Sequence, residues 1–241
     1  MKLYVVGFGP GNYEGMTLEA KSAIEKSSLV VGYCTYTDII KQYFPEKEYL
    51  STGMRKEKER VMLALENAVT KTVALICSGD SQLYGMAGLA FELGESFLDV
   101  EIEVVAGVTA AFSGGAILGA PITHDCALIS LSDLLTPIGK IEKRLRCASE
   151  GNFVIVLYNP SSKTRVDYLK KACDIVLKYR DEKTPCGVVR NIGREGQDSR
   201  IMTLKDLKDM TVDMFTTVYI GNSETKIING KIVTPRGYQN A

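Results

Sequence analysis

The stretch Leu3-Tyr4-Val5-Val6-Gly7-Phe8-Gly9-Pro10-Gly11 joins a short apolar strand to a turn that carries three glycines. A short apolar strand leads into a glycine-bearing turn twice more, where residues 72–76 precede residues 77–85 (two glycines) and residues 103–105 precede residues 106–111 (one glycine). In open α/β sheets, ligands bind beyond the carboxyl ends of the strands, where glycine lets the backbone approach closely. The three turns therefore predict an α/β fold with a cofactor site at one sheet edge.

The first turn differs from the fingerprint of dinucleotide-binding proteins. That fingerprint, G-x-G-x-x-G, requires a third glycine where this chain has Asn12, and an acidic residue about 20 residues further on. The second predicted strand, residues 28–31, ends in Gly32-Tyr33 without such an acid. The phosphate-binding pattern G-x-x-x-x-G-K-[ST] is absent as well. The sequence thus argues against NAD-binding Rossmann proteins and P-loop nucleotide hydrolases.

The length and charge of the chain limit the number of domains and the kinds of partner that it can have. The chain has 241 residues, enough for one large domain or two smaller ones, and 45% of its residues are hydrophobic. Lysine plus arginine and aspartate plus glutamate each number 29, so the formal net charge is zero. A dedicated nucleic-acid domain usually carries a basic excess. The balance argues against a nucleic-acid partner.

The chain begins directly in a strand, without a charged leader, and contains no apolar run of the roughly 20 residues that span a bilayer. We therefore expect a soluble, cytoplasmic protein. No cysteine belongs to a C-x-x-C pair and there is one histidine, so we expect no metal site. The cysteines are dispersed along the chain: Cys34, Cys77, Cys126, Cys147, Cys173 and Cys186.

Apolar periodicity predicts alternating strands and helices. The predicted strands are residues 3–6, 29–31, 72–76, 101–105, 127–131, 152–158, 186–190, 216–220 and 231–233. The predicted helices are residues 17–25, 36–44, 57–69, 85–97, 109–118, 138–148 and 162–179. Gly119-Ala120-Pro121 interrupts the pattern, which suggests domains of residues 1–116 and 117–241. The first is expected to hold a mainly parallel sheet and the second a mixed sheet, with a tight hairpin at Asn229-Gly230.

Several of these motifs, taken in order, resemble the tetrapyrrole (corrin/porphyrin) methylase family. They are Gly7-Phe8-Gly9-Pro10-Gly11, Ser78-Gly79-Asp80, Gly107-Val108-Thr109-Ala110 and Val156-Leu157-Tyr158-Asn159-Pro160. The resemblance covers nearly the whole chain. It implies a methyltransferase that uses S-adenosyl-L-methionine (SAM), a fold of two α/β domains with the cofactor in the cleft between them, and a homodimer.

Other stretches are similar to the branch of this family that methylates C-17 of the corrin ring. They are Gly32-Tyr33-Cys34-Thr35-Tyr36, Ser51-Thr52-Gly53-Met54-Arg55, Tyr84-Gly85-Met86-Ala87-Gly88-Leu89, Gly119-Ala120-Pro121 and the segment 129–137. This resemblance implies cobalamin biosynthesis, a tetrapyrrole substrate (precorrin-3B or cobalt-precorrin-3) and an associated ring contraction. Gln82-Leu83 and Ile138 depart from the pattern of that branch.

The family resemblance also implies a set of cofactor-binding residues. They are Pro10, Ser78, Gly79, Asp80, Leu83, Tyr84, Thr109, Ala110, Asn159 and Gly187. Taken alone, Asp80 is better explained as the cap of a helix that begins at Leu83. Thr109 also suits the N-cap of the helix 109–118, a role that is compatible with cofactor binding. The family match favours a role for Asp80 in binding a ribose hydroxyl or the methionyl ammonium group, since carboxylates form strong charge-assisted bonds.

Candidate substrate and catalytic residues follow from the same branch. Arg55, Ser130, Ser132 and Asp133 are candidates for substrate binding, although the last three also suit turn formation. Weaker substrate candidates are Arg60, Lys163, Arg165 and Arg190. His124 and Asp125 are candidates for the proton movements that ring contraction requires, although a lone histidine is more often structural.

Two other functions remain open from the sequence. The same fold serves methyltransferases that act on another ring carbon, on RNA or on a protein, and a carrier of labile tetrapyrroles would need a similar pocket. Function depends on the site and not on the fold.

Overall fold

The computed structural model describes residues 1–162 and 166–238. The chain divides into two compact units, Met1–Ala110 and Ala111–Ala241. The domain boundary predicted at residues 116/117 falls inside a helix that begins at Ala110 and ends at Leu118.

The first unit alternates strands and helices. Its strands are β1 (Lys2–Gly7), β2 (Leu29–Tyr33), β3 (Glu48–Thr52), β4 (Val73–Cys77) and β5 (Glu101–Val105). Its helices are α1 (Leu18–Lys26), α2 (Cys34–Lys41), α3 (Glu57–Ala68) and α4 (Ala87–Gly94), with a short 3-10 turn at Tyr13–Gly15. The strands form one parallel sheet in the order β3-β2-β4-β1-β5. The predicted parallel sheet is thus confirmed.

Helices cover both faces of this sheet. On one face, Ala20 and Ile24 of α1 and Ile40 of α2 pack against the strands. On the other, α3 and α4 contribute side chains such as Val61 and Ala90. Strand β4 is buried along its whole length, which explains its uninterrupted apolar sequence.

Helix α5 (Ala110–Leu118) belongs to the second unit except for its first residue, Ala110, which ends the first unit. The main sheet of the second unit has five strands, in the order β10-β9-β11-β8-β7. The strands of this unit are β6 (Gly119–Ala120), β7 (Cys126–Ser130), β8 (Val154–Tyr158), β9 (Pro185–Arg190), β10 (Asp198–Thr203), β11 (Thr216–Ile220), β12 (Lys226–Ile228) and β13 (Lys231–Val233). Its other helices are α6 (Ile138–Glu150), α7 (Tyr168–Val176) and α8 (Leu204–Lys208). Strands β7 and β8 are parallel, whereas β11 is antiparallel to β8 and β9, so the predicted mixed sheet is confirmed.

A small second sheet, in the order β12-β13-β6, completes this unit. Asn229 and Gly230 connect β12 to β13 with φ angles of 48° and 73°, so the predicted hairpin is confirmed. Gly119-Ala120 was expected only to end a helix, but it forms β6 and pairs in parallel with β13. Gly119 has a φ of 128°, which a side-chain-bearing residue rarely adopts.

Several predicted bounds were wrong. Helix α2 begins and ends two to three residues before the predicted range 36–44, and α4 is shorter at both ends than the predicted range 85–97. Strands β3, β6, β10 and β12 were not predicted. β3 and β10 lie at sheet edges and are half exposed or exposed along most of their length, so neither carries an apolar run. The predicted helix at residues 162–179 corresponds to α7, but its residues 163–165 lie outside the described part of the chain.

Within the described residues, no helix combines the length and the apolar character that crossing a bilayer requires.

Candidate functional site

The carboxyl ends of all five strands of the first unit meet at one sheet edge, because the sheet is parallel. Strands β4, β1 and β5 are neighbours, so the turns that follow them lie side by side. These three turns hold most of the predicted cofactor residues: Pro10 after β1, Ser78, Gly79, Asp80, Leu83 and Tyr84 after β4, and Thr109 and Ala110 after β5. The structure therefore brings these residues to one edge.

The turns are bonded to one another. Gly9 N–H donates to the carbonyl of Gly79 at 3.0 Å, and Gly79 N–H donates back to Gly9 at 2.8 Å. A Cβ on Gly107 would lie 2.1 Å from Gly79 O and 2.3 Å from Gly7 O. The glycines at positions 7 and 107 are therefore required for the turns to approach each other. The sequence had suggested only that they admit a ligand.

Asp80 ties two of these turns together. One carboxylate oxygen, Oδ1, accepts the N–H groups of Gln82 and Leu83, both at 2.9 Å. The other, Oδ2, accepts the N–H of Gly107 at 3.1 Å. Helix α4 begins at Ala87, so Asp80 does not cap a helix at Leu83, as the alternative interpretation required. It organises a turn and fastens the turn after β5 to it.

The charge state of Asp80 follows from these bonds. Partial burial raises the pKa of its carboxyl, but N–H groups of Leu83, Gly107, Gln82 and Ser81 lower it by more, and the pKa lies below its ordinary value. Asp80 is thus ionised at neutral pH. Its oxygens already accept backbone N–H groups, and its negative charge can still attract a cationic ligand.

Two residues at this edge have a left-handed backbone conformation. Tyr84 has a φ of 57° and Arg55, after β3, has a φ of 63°. Such conformations cost about 1–3 kcal/mol for non-glycine residues and concentrate at functional sites. Both side chains are exposed. The backbone therefore holds Tyr84 and Arg55 at the surface of the edge where they were predicted to act.

A buried serine fixes the turn after β4, and sequence reasoning missed it. Ser81 has no exposed surface, and its hydroxyl donates to the carbonyl of Val105 at 2.9 Å. A Cβ on Gly85 would lie 2.2 Å from the Ser81 carbonyl, so this turn is closely packed. Nothing in the sequence distinguishes Ser81 from an ordinary turn serine.

Arg60 was a weaker candidate for binding substrate, but the structure buries it. It is 4% exposed, and its guanidinium donates to Thr52 Oγ1 and to the carbonyl of Gly53, both at 2.8 Å. A third contact reaches Met86 Sδ at 3.7 Å. Arg60 therefore supports the turn that presents Arg55.

Arg190 forms an ion pair with Asp213 at 2.7 Å in the second unit. Lys163 and Arg165 lie outside the described residues.

In the second unit, three predicted residues meet beyond the carboxyl ends of β7 and β8. Asn159, with a φ of 52°, donates from Nδ2 to Ser130 Oγ at 2.9 Å. The same oxygen accepts the N–H of Ser132 at 3.2 Å. Asp133 Oδ2 accepts the hydroxyl of Tyr168 at 2.7 Å, and sequence reasoning missed this tyrosine. Two hydrogen-bonded side-chain pairs result, Ser130 with Asn159 and Asp133 with Tyr168, and we call these four residues the Ser130 cluster.

Gly187 lies in the middle of β9. A Cβ there would lie 2.7 Å from Leu118 Cδ1 and 2.8 Å from Ile232 Cδ1. The structure gives this glycine a packing role, and its contact with a cofactor stays a prediction.

His124 and Asp125 lie on an exposed segment between β6 and β7. Nδ1 of His124 accepts the backbone N–H of Asp125 at 2.9 Å, and Asp125 Oδ2 lies 3.6 Å from the same nitrogen. The histidine side chain is 43% exposed and the aspartate side chain 80%, so water screens this pair. An accepting Nδ1 carries no proton, so the neutral ring carries it on Nε2.

All six cysteines are free thiols, and they are dispersed as the sequence indicated. Across residues 1–162 and 166–238, no group of three His, Cys, Asp or Glu side chains is arranged to hold a metal ion.

Comparison with known proteins assigns the family. The family model for tetrapyrrole (corrin/porphyrin) methylases matches residues 2–208. The chain is 49% identical over 240 residues to the cobalamin biosynthesis protein CbiHC of Archaeoglobus fulgidus, covering 99% of this chain and 53% of that protein. This relative is thus about twice as long.

Relatives of similar length also match. A probable cobalt-factor III C(17)-methyltransferase of Salmonella typhimurium is 44% identical, covering 98% of this chain and 99% of that protein. A precorrin-3B C(17)-methyltransferase of a Sinorhizobium species is 35% identical, covering 99% and 98%.

Among solved structures, the methyltransferase CobJ superposes with a TM-score of 0.89 at 32% identity, covering 97% of this chain and 99% of that one. Together with the relatives, this match confirms the predicted fold class and the predicted enzyme class, a methyltransferase of cobalamin biosynthesis. The chain belongs to the tetrapyrrole (corrin/porphyrin) methylase family.

Proposed function

We propose that this protein transfers a methyl group from SAM to C-17 of cobalt-factor III and that ring contraction accompanies the transfer. The observation that carries the proposal is the 44% identity to the Salmonella typhimurium relative along the full length of both chains. The Sinorhizobium relative, named for the cobalt-free substrate precorrin-3B, is 35% identical over a similar length. The higher identity favours the cobalt-containing substrate.

The edge of the first unit suits SAM. The cofactor, when bound, supplies an electrophilic methyl group on a sulfonium cation, so the protein has chiefly to orient and desolvate the reactants. Asp80 offers a carboxylate that is ionised at neutral pH. A carboxylate can bind the ammonium or a ribose hydroxyl of this ligand. The turns around it present backbone groups rather than nucleophilic side chains, which fits a reaction whose electrophile comes from the cofactor.

The rigidity of the turns matters for methyl transfer. Reacting atoms must be held in line and about 3–3.5 Å apart, and small displacements cost much of the rate. The Gly9–Gly79 bonds and the Asp80–Gly107 bond fix three neighbouring turns relative to each other. We infer that Pro10, Ser78, Leu83, Tyr84, Thr109 and Ala110, which lie on these turns, hold the cofactor in one orientation.

Polar residues of the second unit suit the substrate. The Ser130 cluster presents an amide, hydroxyls and a carboxylate whose mutual bonds limit their motion. Such groups can bind pyrrole N–H groups and peripheral carboxylates of a tetrapyrrole. Considered by itself, the first unit offers exposed Arg55, whose guanidinium suits a carboxylate.

Proton transfer is assigned to His124 and Asp125. The neutral ring has its proton on Nε2 and its lone pair on Nδ1, so it takes up a proton at Nδ1. The resulting imidazolium, which Asp125 Oδ2 at 3.6 Å from Nδ1 would stabilise, is the form that can release a proton. We expect His124→Gln to keep methylation and to slow the contraction. An unchanged rate of contraction would remove His124 from the mechanism.

The decisive experiment is a mass-spectrometric turnover assay with SAM and either cobalt-factor III or precorrin-3B. A product one methylene heavier from cobalt-factor III, with the absorption spectrum of a contracted ring, supports the proposal. Turnover of precorrin-3B but not of cobalt-factor III would show that the substrate is the cobalt-free compound. Binding of SAM without turnover of either compound would indicate another substrate or a carrier.

A homodimer and a cytoplasmic location, which the family resemblance implies, stay predictions. Sedimentation equilibrium of the purified chain decides the first.

A further inference from the structure

A cavity of about 350 Å³ lies in the second unit, at the opposite end of the sheet from the Ser130 cluster. Its walls come from the segments that precede β8 and β9 and from the segment that follows the antiparallel strand β11. The Ser130 cluster follows the carboxyl ends of β7 and β8 instead. The lining residues that matter here are Asn152, Arg180, Asp181, Lys183, Thr184 and Ser223.

A buried cation borders this cavity. Arg180 is only 9% exposed, and its guanidinium donates to the backbone carbonyls of Gly221, Phe153 and Ala148. Its Nε–H has no hydrogen-bond partner, and within the described part of the chain no carboxylate forms an ion pair with it. Burial lowers the pKa of Arg180 to about 10, which leaves it charged at neutral pH. A buried cation without a counter-ion is costly.

Further donors line the same space. Lys183 is exposed and forms no ion pair with any residue that the structure describes, and the hydroxyl of buried Thr184 likewise has no bonding partner there. Asp181 also borders the cavity, but its carboxylate accepts the backbone N–H of Lys183 at 2.7 Å. Two cations and one carboxylate therefore give the cavity a net positive charge.

Another part of the lining is held in place by side-chain amides. Asn152 donates to Ser223 Oγ at 2.8 Å and accepts the Ser223 N–H at 3.1 Å, and Asn222 donates to the carbonyl of Asn152 at 3.2 Å. Ser223 keeps its own hydroxyl proton for another acceptor. The wall is thus ordered before any ligand arrives, which lowers the entropic cost of binding.

We propose that this cavity binds a small oxyanion of the phosphate class, with Lys183, Thr184 and Ser223 donating to its oxygens and Arg180 supplying the buried positive charge. This site is separate from the proposed methyl-transfer site and does not depend on it. The cavity is larger than inorganic phosphate, so the phosphoryl group of a larger metabolite is an equally suitable source of the same chemistry.

Isothermal titration calorimetry of the full chain with sodium phosphate, in a low-chloride buffer at pH 7, tests the proposal. We expect one site per chain. Lys183→Met and Thr184→Val are each expected to weaken binding about tenfold, the effect of one hydrogen bond to a charged group. The matched control is Lys178→Met, which removes an exposed lysine outside the cavity with the same change in charge and should leave the affinity unchanged.

The proposal is overturned if calorimetry detects no binding up to phosphate concentrations on the order of 50 millimolar, a range of very weak affinity. It is also overturned if Lys183→Met and Lys178→Met weaken binding equally. A third contrary result would be that phosphate changes the backbone amide NMR signals of other residues but not those of Thr184 and Ser223. A parallel titration with glycerol 3-phosphate distinguishes the sources. Tighter binding than phosphate indicates a phosphorylated metabolite, and equal or weaker binding indicates the free ion. Neither readout involves methyl transfer, so failure here leaves the proposed function untouched.

Discussion

At the scale of single residues, Asp80 shows how one carboxylate can serve both structure and binding. Its two oxygens accept N–H groups from its own turn and from the turn after β5. An asparagine has a single acceptor oxygen, so it could satisfy one turn but not both. The two turns therefore require a residue with two acceptor oxygens at this position, and a carboxylate that meets this requirement is also negatively charged.

Asp80→Asn is expected to destabilise the fold by about 1–3 kcal/mol at pH 7, the cost of an unsatisfied buried N–H. If the proposed cofactor site is correct, the affinity for SAM falls at least about tenfold as well. Urea unfolding and calorimetry measure the two effects. Asp38→Asn, an exposed aspartate on α2, is the matched control and should change neither.

The effect of Asp80 depends on pH in one direction. Its folded-state pKa is depressed below the value of about 4 in an unfolded chain, so its stabilisation is full above that value and is lost as the pH falls through the folded pKa. The stability gap between wild type and Asp80→Asn should therefore be full at pH 7 and shrink below about pH 4. A gap that widens in acid would contradict the assignment.

Arg60 is a second residue with a structural task. Arg60→Ala leaves Thr52 Oγ1 and the Gly53 carbonyl without their donor, so we expect a loss of about 2–4 kcal/mol in the free energy of unfolding. Lys58→Ala, on the exposed side of α3, should stay within about 0.5 kcal/mol of wild type. If both variants lose a similar free energy of unfolding, the loss reflects a general effect of alanine on α3 and not the guanidinium contacts of Arg60.

At the scale of elements, the turns after β1, β4 and β5 act as one unit. A methyl group at position 107 would collide with the carbonyls of Gly79 and Gly7, so Gly107→Ala must separate the turns. We expect it to cost at least about 2 kcal/mol of stability and to abolish SAM binding. Thermal unfolding and calorimetry test this pair of effects.

Gly88→Ala provides the control for Gly107→Ala. Gly88 lies in α4, and a Cβ there would meet no atom within 4 Å. Alanine is the better helix former, so this variant should be neutral or gain up to about 1 kcal/mol. A loss at position 88 as large as at position 107 would show that the crowding argument is wrong.

Which elements the sequence predicted depends on burial. Strand β4 and helix α3 were placed to within one residue, since buried strands and amphipathic helices leave clear apolar patterns. Edge strands such as β10 expose most of their side chains and leave no such pattern. The position of the cofactor turns was likewise readable from glycines. The bond from Asp80 to Gly107 was not, because it joins residues 27 positions apart through a turn geometry that the sequence does not encode locally.

At the scale of the whole molecule, the charge balance separates two methyltransferase classes. The chain carries 29 basic and 29 acidic residues and has a pI of 6.6. A protein that methylates RNA would hold phosphates with Lys and Arg, and its affinity would fall with salt by a log–log slope of about −0.7 per phosphate neutralised on a single strand. The family shares its fold with methyltransferases of other substrates, so the fold alone leaves this question open.

We therefore expect no measurable binding of ribosomal RNA fragments in an electrophoretic mobility assay at 100 micromolar protein, the order of non-specific affinities. The expectation follows from the absence of a net positive charge to offset the polyanion. Binding that weakens steeply between low and physiological salt would contradict it and would revive RNA as a substrate. Binding that is insensitive to salt would point instead to base stacking on exposed aromatic side chains such as Tyr84. The same assay after Asp80→Asn separates these cases from cofactor effects, because that substitution changes the cofactor edge and leaves the basic residues untouched.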